Sequence, residues 1–312
     1  RICHSMRLYS CSMFNRRKPK LQDHMKMRAE QGNAVNANNK KTRRSYEHLS
    51  CYGASGWLFF KTGYLERIKD GLHMIGKFMS FLMLVWVWNI LWGMVPTDIL
   101  GGGDYDRAGL VWYIAITEAV VFCAGYLFYD MYVDIKSGNF SPSLIRPVSY
   151  HCRMIANCFG RAMGQMTLFY PLALLSAYLI TGVWQPDFGQ IILSLIMVME
   201  ALFCFVCLNY MVGAAALWIG ESSPAYWITQ KLCFLLGGLL FPLTLYPEIF
   251  YKITQFLPFT AVFFMPGSTM LNTLPYSAMM MIVIQTFWMT FLLGLSLLVH
   301  RCAVRRVAIV GG

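Results

Sequence analysis

The chain has 312 residues, 57% of them hydrophobic and 13% charged. Soluble domains carry about 25% charged residues, so the composition argues against a large soluble core and for a protein embedded in a membrane. The formal net charge is +11, all of it before residue 78: residues 1–77 hold 16 Lys and Arg against 5 Asp and Glu, and the remainder 10 against 10. A nucleic-acid-binding arm would also be basic. A basic cytoplasmic flank beside anionic lipid accounts for the same charge, and no nucleic-acid partner is expected. The ten cysteines are scattered, several within apolar runs, and suggest no disulfide framework.

In chain order, residues 1–56 show no sustained periodicity. The Asn-rich stretch 31–45 reads as a disordered cytoplasmic extension. The first residues lack the apolar core of a signal peptide. Residues 57–77 place Leu58, Phe59, Tyr64, Leu65, Ile68, Leu72 and Ile75 among Lys61, Glu66, Arg67, Lys69 and Asp70, the spacing of an interfacial amphipathic helix. Six apolar runs follow within 78–306, at about 78–95, 109–129, 162–182, 190–212, 227–245 and 278–299. Each has about the length that crosses a bilayer as a helix. The expected fold is therefore all-α, with six transmembrane helices. An even number of crossings puts both termini on one side, and Arg301, Arg305 and Arg306 match the basic N-terminal region, so both ends are expected in the cytoplasm. Asp98, Asp104 and Asp106 then fall in an outer loop, and DIKSGNFSPSLIRPVSY (134–150) in an inner one. Residues 246–277 hold Pro247, Pro258 and Pro266 and are too broken to span. They are expected to form short helices that dip into the outer interface and pack on the spans, because irregular backbone at that depth must be covered.

Two acids fall inside the spans, Glu118 in the second and Glu200 in the fourth, and Asn209 shares the fourth. Acids in hydrocarbon usually face the bundle or a water path, so Glu118 and Glu200 either line a translocation path or are protonated and paired with Asn209, Gln165 or a tyrosine. Gly213, Ala214–Ala216, Gly237 and Gly238 suit close helix packing. Trp112, Trp184, Tyr246 and Tyr251 read as outer-interface anchors. Cys204 and Cys207 match CxxC, but mid-span and without a second pair they read as small packing residues. In the 134–150 loop, Gly138 permits a tight turn, and Pro142 and Pro147 stiffen the chain and restrict the residues before them. A short helix is expected from Ser141 or Ser143 as N-cap, with Pro142 at its first position. Leu144 and Ile145 would form an apolar knob, with Arg146 as a charge; alternatively the loop merely turns the chain.

GGLLFPLTLYPE (237–248), followed by FLPF (256–259), resembles the end of span 5 and the outer re-entrant segment of type-2 ABC exporter permeases. The loop 134–150 is similar to the first cytoplasmic loop of the bacterial six-span subgroup, in which an acidic-Ile-basic start leads to Leu-Leu-Arg-Pro-Val. Tyr246-Pro247 stands where Leu-Pro is usual. The six spans and the amphipathic "elbow" helix also agree, and the resemblance covers about residues 57–300. It implies a bacterial inner-membrane permease subunit that pairs with a second permease subunit and binds two separate ABC ATPase subunits, which carry the ATP-Mg. The chain itself would bind no cofactor and catalyse nothing, and the sequence contains no G-x-x-x-x-G-K-[ST] phosphate cradle. The resemblance further implies that Leu144, Ile145, Arg146 and Pro147 contact the ATPase. Glu221, in the short inner loop 220–227, either joins that contact or helps cap the following helix together with Ser222. Two rival classes stay open. A proton-coupled secondary transporter would use Glu118 and Glu200, although no repeat between spans 1–3 and 4–6 is evident. An integral membrane enzyme would need a convergent set around His151, His73 or His300, which the sequence does not display.

Overall fold

The computed structural model describes residues 55–69, 71–95, 106–144, 148–271 and 274–310. Most of the expected extension (1–54), together with Ile145, Arg146 and Pro147, lies outside these residues. Among the described residues the regular elements are helices: α1 (55–69), α2 (Gly71–Met94), α3 (Arg107–Cys123), α4 (Leu127–Lys136), α5 (Phe140–Leu144), α6 (Tyr150–Thr181), α7 (Phe188–Ile219), α8 (Ser223–Leu236), α9 (Glu248–Gln255), α10 (Phe264–Ser268) and α11 (Ala278–Val310). Among the described residues, five stretches are long and apolar enough to cross a membrane: Met74–Met94, Arg107–Lys136, Tyr150–Thr181, Phe188–Ile219 and Ala278–Arg306.

The amphipathic stretch expected at 57–77 divides. Residues 55–69 form α1, and Gly71–Lys77 open α2. Helix α1 lies against α6 with almost no clearance. A Cβ on Gly160 would sit 2.1 Å from the Phe60 carbonyl oxygen, and one on Gly63 would sit 2.3 Å from the Asn157 carbonyl oxygen. Gly164, one turn on, faces the Tyr64 carbonyl at 2.8 Å. The small-xxx-small pair Gly160–Gly164 thus lets the two backbones touch.

Helix α3 is central and buried on nearly every face. Phe81, Phe122 and Phe169 join α2, α3 and α6 with centroid spacings of 5.6–5.8 Å. The run expected as one helix over 109–129 breaks at Ala124–Tyr126 and resumes as α4. The break falls where the chain presses on α6: a Cβ on Gly125 would lie 2.8 Å from Cys158 Sγ. Beyond it, Asp130 pairs with Arg161, and Phe128 stacks on Tyr226 at 3.8 Å. Gly213 admits α4 against α7, its absent Cβ only 3.0 Å from Met131 Cβ. Trp112 is fully buried against Trp184, so it is not an exposed anchor, whereas Trp184 is exposed.

Helix α8 stops at Leu236, nine residues before the end of the expected span 227–245. Gly237 and Gly238 are the cause. Gly238 has φ +72°, and Leu239 N–H bonds back to the Phe234 carbonyl at 3.2 Å. This is a Schellman stop, which requires a left-handed residue after the cap. Fourteen residues rise about 21 Å, short of the roughly 30 Å hydrocarbon core. The expected packing of the broken segment on the spans holds for its second half: residues 260–271 are all buried. Gly267 seats α10 on α3, where a Cβ would lie 2.6–2.8 Å from Thr117 and Tyr113. Helix α9 by contrast exposes Ile249, Phe250 and Ile253.

Candidate functional site

The described part of the loop between α4 and α6 is held by local bonds. Gly138 turns with φ +76°, as its sequence position suggests. Asn139 then opens α5, two residues before the expected cap, and its carbonyl accepts from Ser143 N–H at 3.2 Å. Pro142 is accommodated because the first turn of a helix leaves its N–H groups without intrahelical partners anyway. Phe140 packs edge-on against Tyr150 at 4.8 Å. Tyr150 Oη donates to Asp134 Oδ2 at 2.9 Å, and the Arg153 guanidinium lies 5.2 Å from the Tyr150 ring centre. Tyr150 thereby clamps the end of α4 and the start of α5 onto α6. Leu144 is half-buried against the main core, so it does not stand out as an apolar knob; the outward residues of α5 are Ser141 and Pro142.

Glu221 is exposed in the turn between α7 and α8, just after Gly220 with φ +84°. Ser222 is the N-cap of α8 by position, yet its side chain makes no capping bond and its Oγ is buried without a partner among the described residues. Arg306 Nε donates to the Leu217 carbonyl at 2.9 Å. The α4–α5 loop, the α7–α8 turn and the last turns of α11 therefore share one end of the bundle.

The polar residues Glu118, Glu200 and Asn209 make no hydrogen bonds to one another among the described residues. Glu118 is buried in α3, 4% exposed, with no hydrogen-bond or ion-pair partner among the described residues. Glu200 Oε1 accepts from Thr286 Oγ1 at 2.9 Å, linking α7 to α11, while Oε2 is buried and unpartnered. Asn209 donates to the Phe205 carbonyl of its own helix at 2.9 Å. Glu200 and Asn209 are nine residues apart on α7, about 13.5 Å.

Other polar groups converge instead. His151 Nε2 lies 2.9 Å from Ser296 Oγ, and Tyr210 Oη lies 2.7 Å from His300 Nδ1. The His151 ring is 4.6 Å from that of Tyr210 and 5.6 Å from that of His300. This cluster ties α6, α7 and α11 together at the loop end. Gln285 Nε2 donates to both the Met197 and Ala261 carbonyls at 2.8 Å, fixing α11, α7 and the irregular turn before α10. Sequence reading singled out His151 and His300 separately, but their contact depends on three helices remote in sequence. Gln285, alone in an apolar run, was the available signal for the second group. Cys204 and Cys207 are buried free thiols, consistent with packing residues.

No curated protein matches the chain. The family model described as ABC-2 family transporter protein matches residues 103–311. That match takes in every helix from α3 to α11, including the Gly-stopped α8 and the buried turn behind it, and leaves out α1 and α2. The chain therefore belongs to the ABC-2 transporter family, as a membrane-embedded permease subunit of an ABC transporter.

Proposed function

We propose that the chain is one half of an ATP-driven exporter, working with a second permease subunit and two separate ATPase subunits through the loop 134–150. The supporting observation is the clamp at Tyr150, which ties the end of α4 and the start of α5 to α6. A push on α5 passes through Phe140 to Tyr150 and α6. The same push reaches α4 through Asp134 and the Asp130–Arg161 pair, and α7 through the close Met131–Gly213 contact. Glu221 shares that end of the bundle and offers a second contact. In this reading the loop end is cytoplasmic in a bacterial inner membrane, and ATP-Mg stays on the partner chains. A sixth crossing is completed by α8 together with the irregular residues 237–245.

The experiment is copurification of the chain with its ATPase and measurement of stimulated ATP turnover. Arg146→Glu and Tyr150→Ala are each expected to lower turnover at least severalfold while the chain stays folded. Normal ATPase binding and turnover in both variants would remove the loop from the coupling path.

Glu118 favours a second reading, proton-coupled transport, because it is a buried acid without a partner among the described residues. Transport by the purified chain alone under a proton gradient, abolished in Glu118→Gln, would establish that reading. Transport that needs ATP and survives Glu118→Gln supports the exporter.

A further inference from the structure

Helices α7 and α11 run side by side in the same direction. Among the described residues, the bonds between them rise in one order along both: Met197 with Gln285, Glu200 with Thr286, Tyr210 with His300, and Leu217 with Arg306. Parallel packing brings both C-terminal ends to the loop end of the bundle. Each such end carries a partial negative charge from its unpaired carbonyls, so the two repel. A cation placed between them offsets the repulsion. Arg306 occupies that place, in the last turns of α11 and against the last turn of α7.

Its contacts there are specific. Helix α7 closes on a left-handed cap: Gly220 has φ +84°, and its N–H donates to the Ala216 carbonyl at 2.8 Å. The next carbonyl, that of Leu217, then accepts from no backbone N–H of the turn among the described residues. Arg306 Nε supplies the donor, at 2.9 Å. The guanidinium also lies 5.9 Å from the ring centre of Trp218, which is 42% exposed. That is within the range of a cation–π contact. The turn is otherwise lightly held. A Cβ on Gly220 would meet nothing within 4 Å, and the Ser222 side chain makes no capping bond. Glu221, between them, is exposed.

We propose that Arg306 is a positioning residue for the α7–α8 turn: it fastens the end of α7 to α11 and so holds Glu221 where an ATPase subunit meets it. The inference rests on the reading of Glu221 as a second ATPase contact. A push on the turn then passes into α11 as well as α7. A turn already held in one conformation loses less freedom on binding, so the bond raises affinity for the ATPase without touching it.

The test uses the full chain in nanodiscs, alone and recombined with the ATPase that copurifies with it. Hydrogen exchange of the Gly220, Glu221 and Ser222 amides in the chain alone reads the turn. The ATPase concentration at half-maximal stimulation, separated from maximal turnover, reads the positioning. Arg306→Gln is expected to speed the exchange about fivefold and to raise the half-saturating concentration by about the same factor, with maximal turnover retained. Arg306→Lys keeps a cation and a donor and should recover most of both. Arg305→Gln, on another face of α11, should change neither. A merely structural role would instead lower maximal turnover through the amount of folded chain. Glu221→Lys tests the underlying contact. If it weakens ATPase binding while Arg306→Gln does not, the turn needs no positioning and the proposal falls. Unchanged exchange in Arg306→Gln overturns it equally, whatever the ATPase does. If exchange is faster but neither Glu221→Lys nor Arg306→Gln alters binding, the reading of Glu221 fails and takes the proposal with it, while the loop 134–150 stands on its own variants.

Discussion

Single glycines decide several of the contacts that shape this permease, and they do so by what a Cβ would meet. Gly160 faces a backbone oxygen, which no rotamer change can move away. Gly160→Ala is therefore expected to destabilise the chain by about 1–3 kcal/mol, the usual cost of overpacking. Gly294 is the contrast. It sits inside α11 with nothing within 4 Å of its ideal Cβ. Gly294→Ala should be neutral or stabilising by about 0.5–1 kcal/mol, because alanine has less backbone freedom to lose on folding. Denaturant unfolding in one detergent, with both variants side by side, checks the pair. The sequence shows both glycines equally plainly, Gly294 inside an apolar run and Gly160 just before one. Which one touches a neighbour depends on where α1 comes to rest.

At the level of elements, buried polar groups act as rivets between helices. His151, Ser296, Tyr210 and His300 join α6, α7 and α11 beside the α4–α5 loop. Losing one hydrogen-bond partner in a buried cluster costs about 1–3 kcal/mol. His151→Phe and Tyr210→Phe should each lower unfolding stability by about that amount. The double variant should lose less than their sum, since neighbours in one network couple. A thermodynamic cycle of the four proteins measures it, and strict additivity would show the two bonds to be independent. Element ends follow a different rule. The Gly237–Gly238 stop is legible as a glycine pair followed by Phe-Pro. Its consequence, a helix of only 14 residues, was not, because apolar content continues to Leu245 without a gap. The α3–α4 break escaped for the same reason. Hydropathy runs on through Ala124–Tyr126, where the chain presses on Cys158 of α6.

For the molecule as a whole, the open question of sidedness has a direct measurement. Cys302 is exposed near the end of α11, at the loop end of the bundle. In a chain whose other nine cysteines are replaced, a membrane-impermeant maleimide should label Cys302 in inverted vesicles and not in intact cells. An Asp187→Cys probe at the start of α7 should show the reverse pattern. Labelling of both from the same side would contradict the orientation given by the basic flanks. Apolar runs, the charge imbalance and the proline-broken segment by themselves determined that the chain is an all-helical membrane protein, and the order of its short motifs pointed to the transporter family. These features depend on local composition and on solvent partition, which act wherever the chain folds. Only the tertiary structure decided that Glu118, Glu200 and Asn209 make no hydrogen bond to one another, that Leu144 packs inward, and that Tyr150 ties the end of α4 and the start of α5 to α6. Helical periodicity places a side chain on a face of its own helix; which helix that face meets is settled by backbone approach, here at Gly125, Gly160, Gly213 and Gly267.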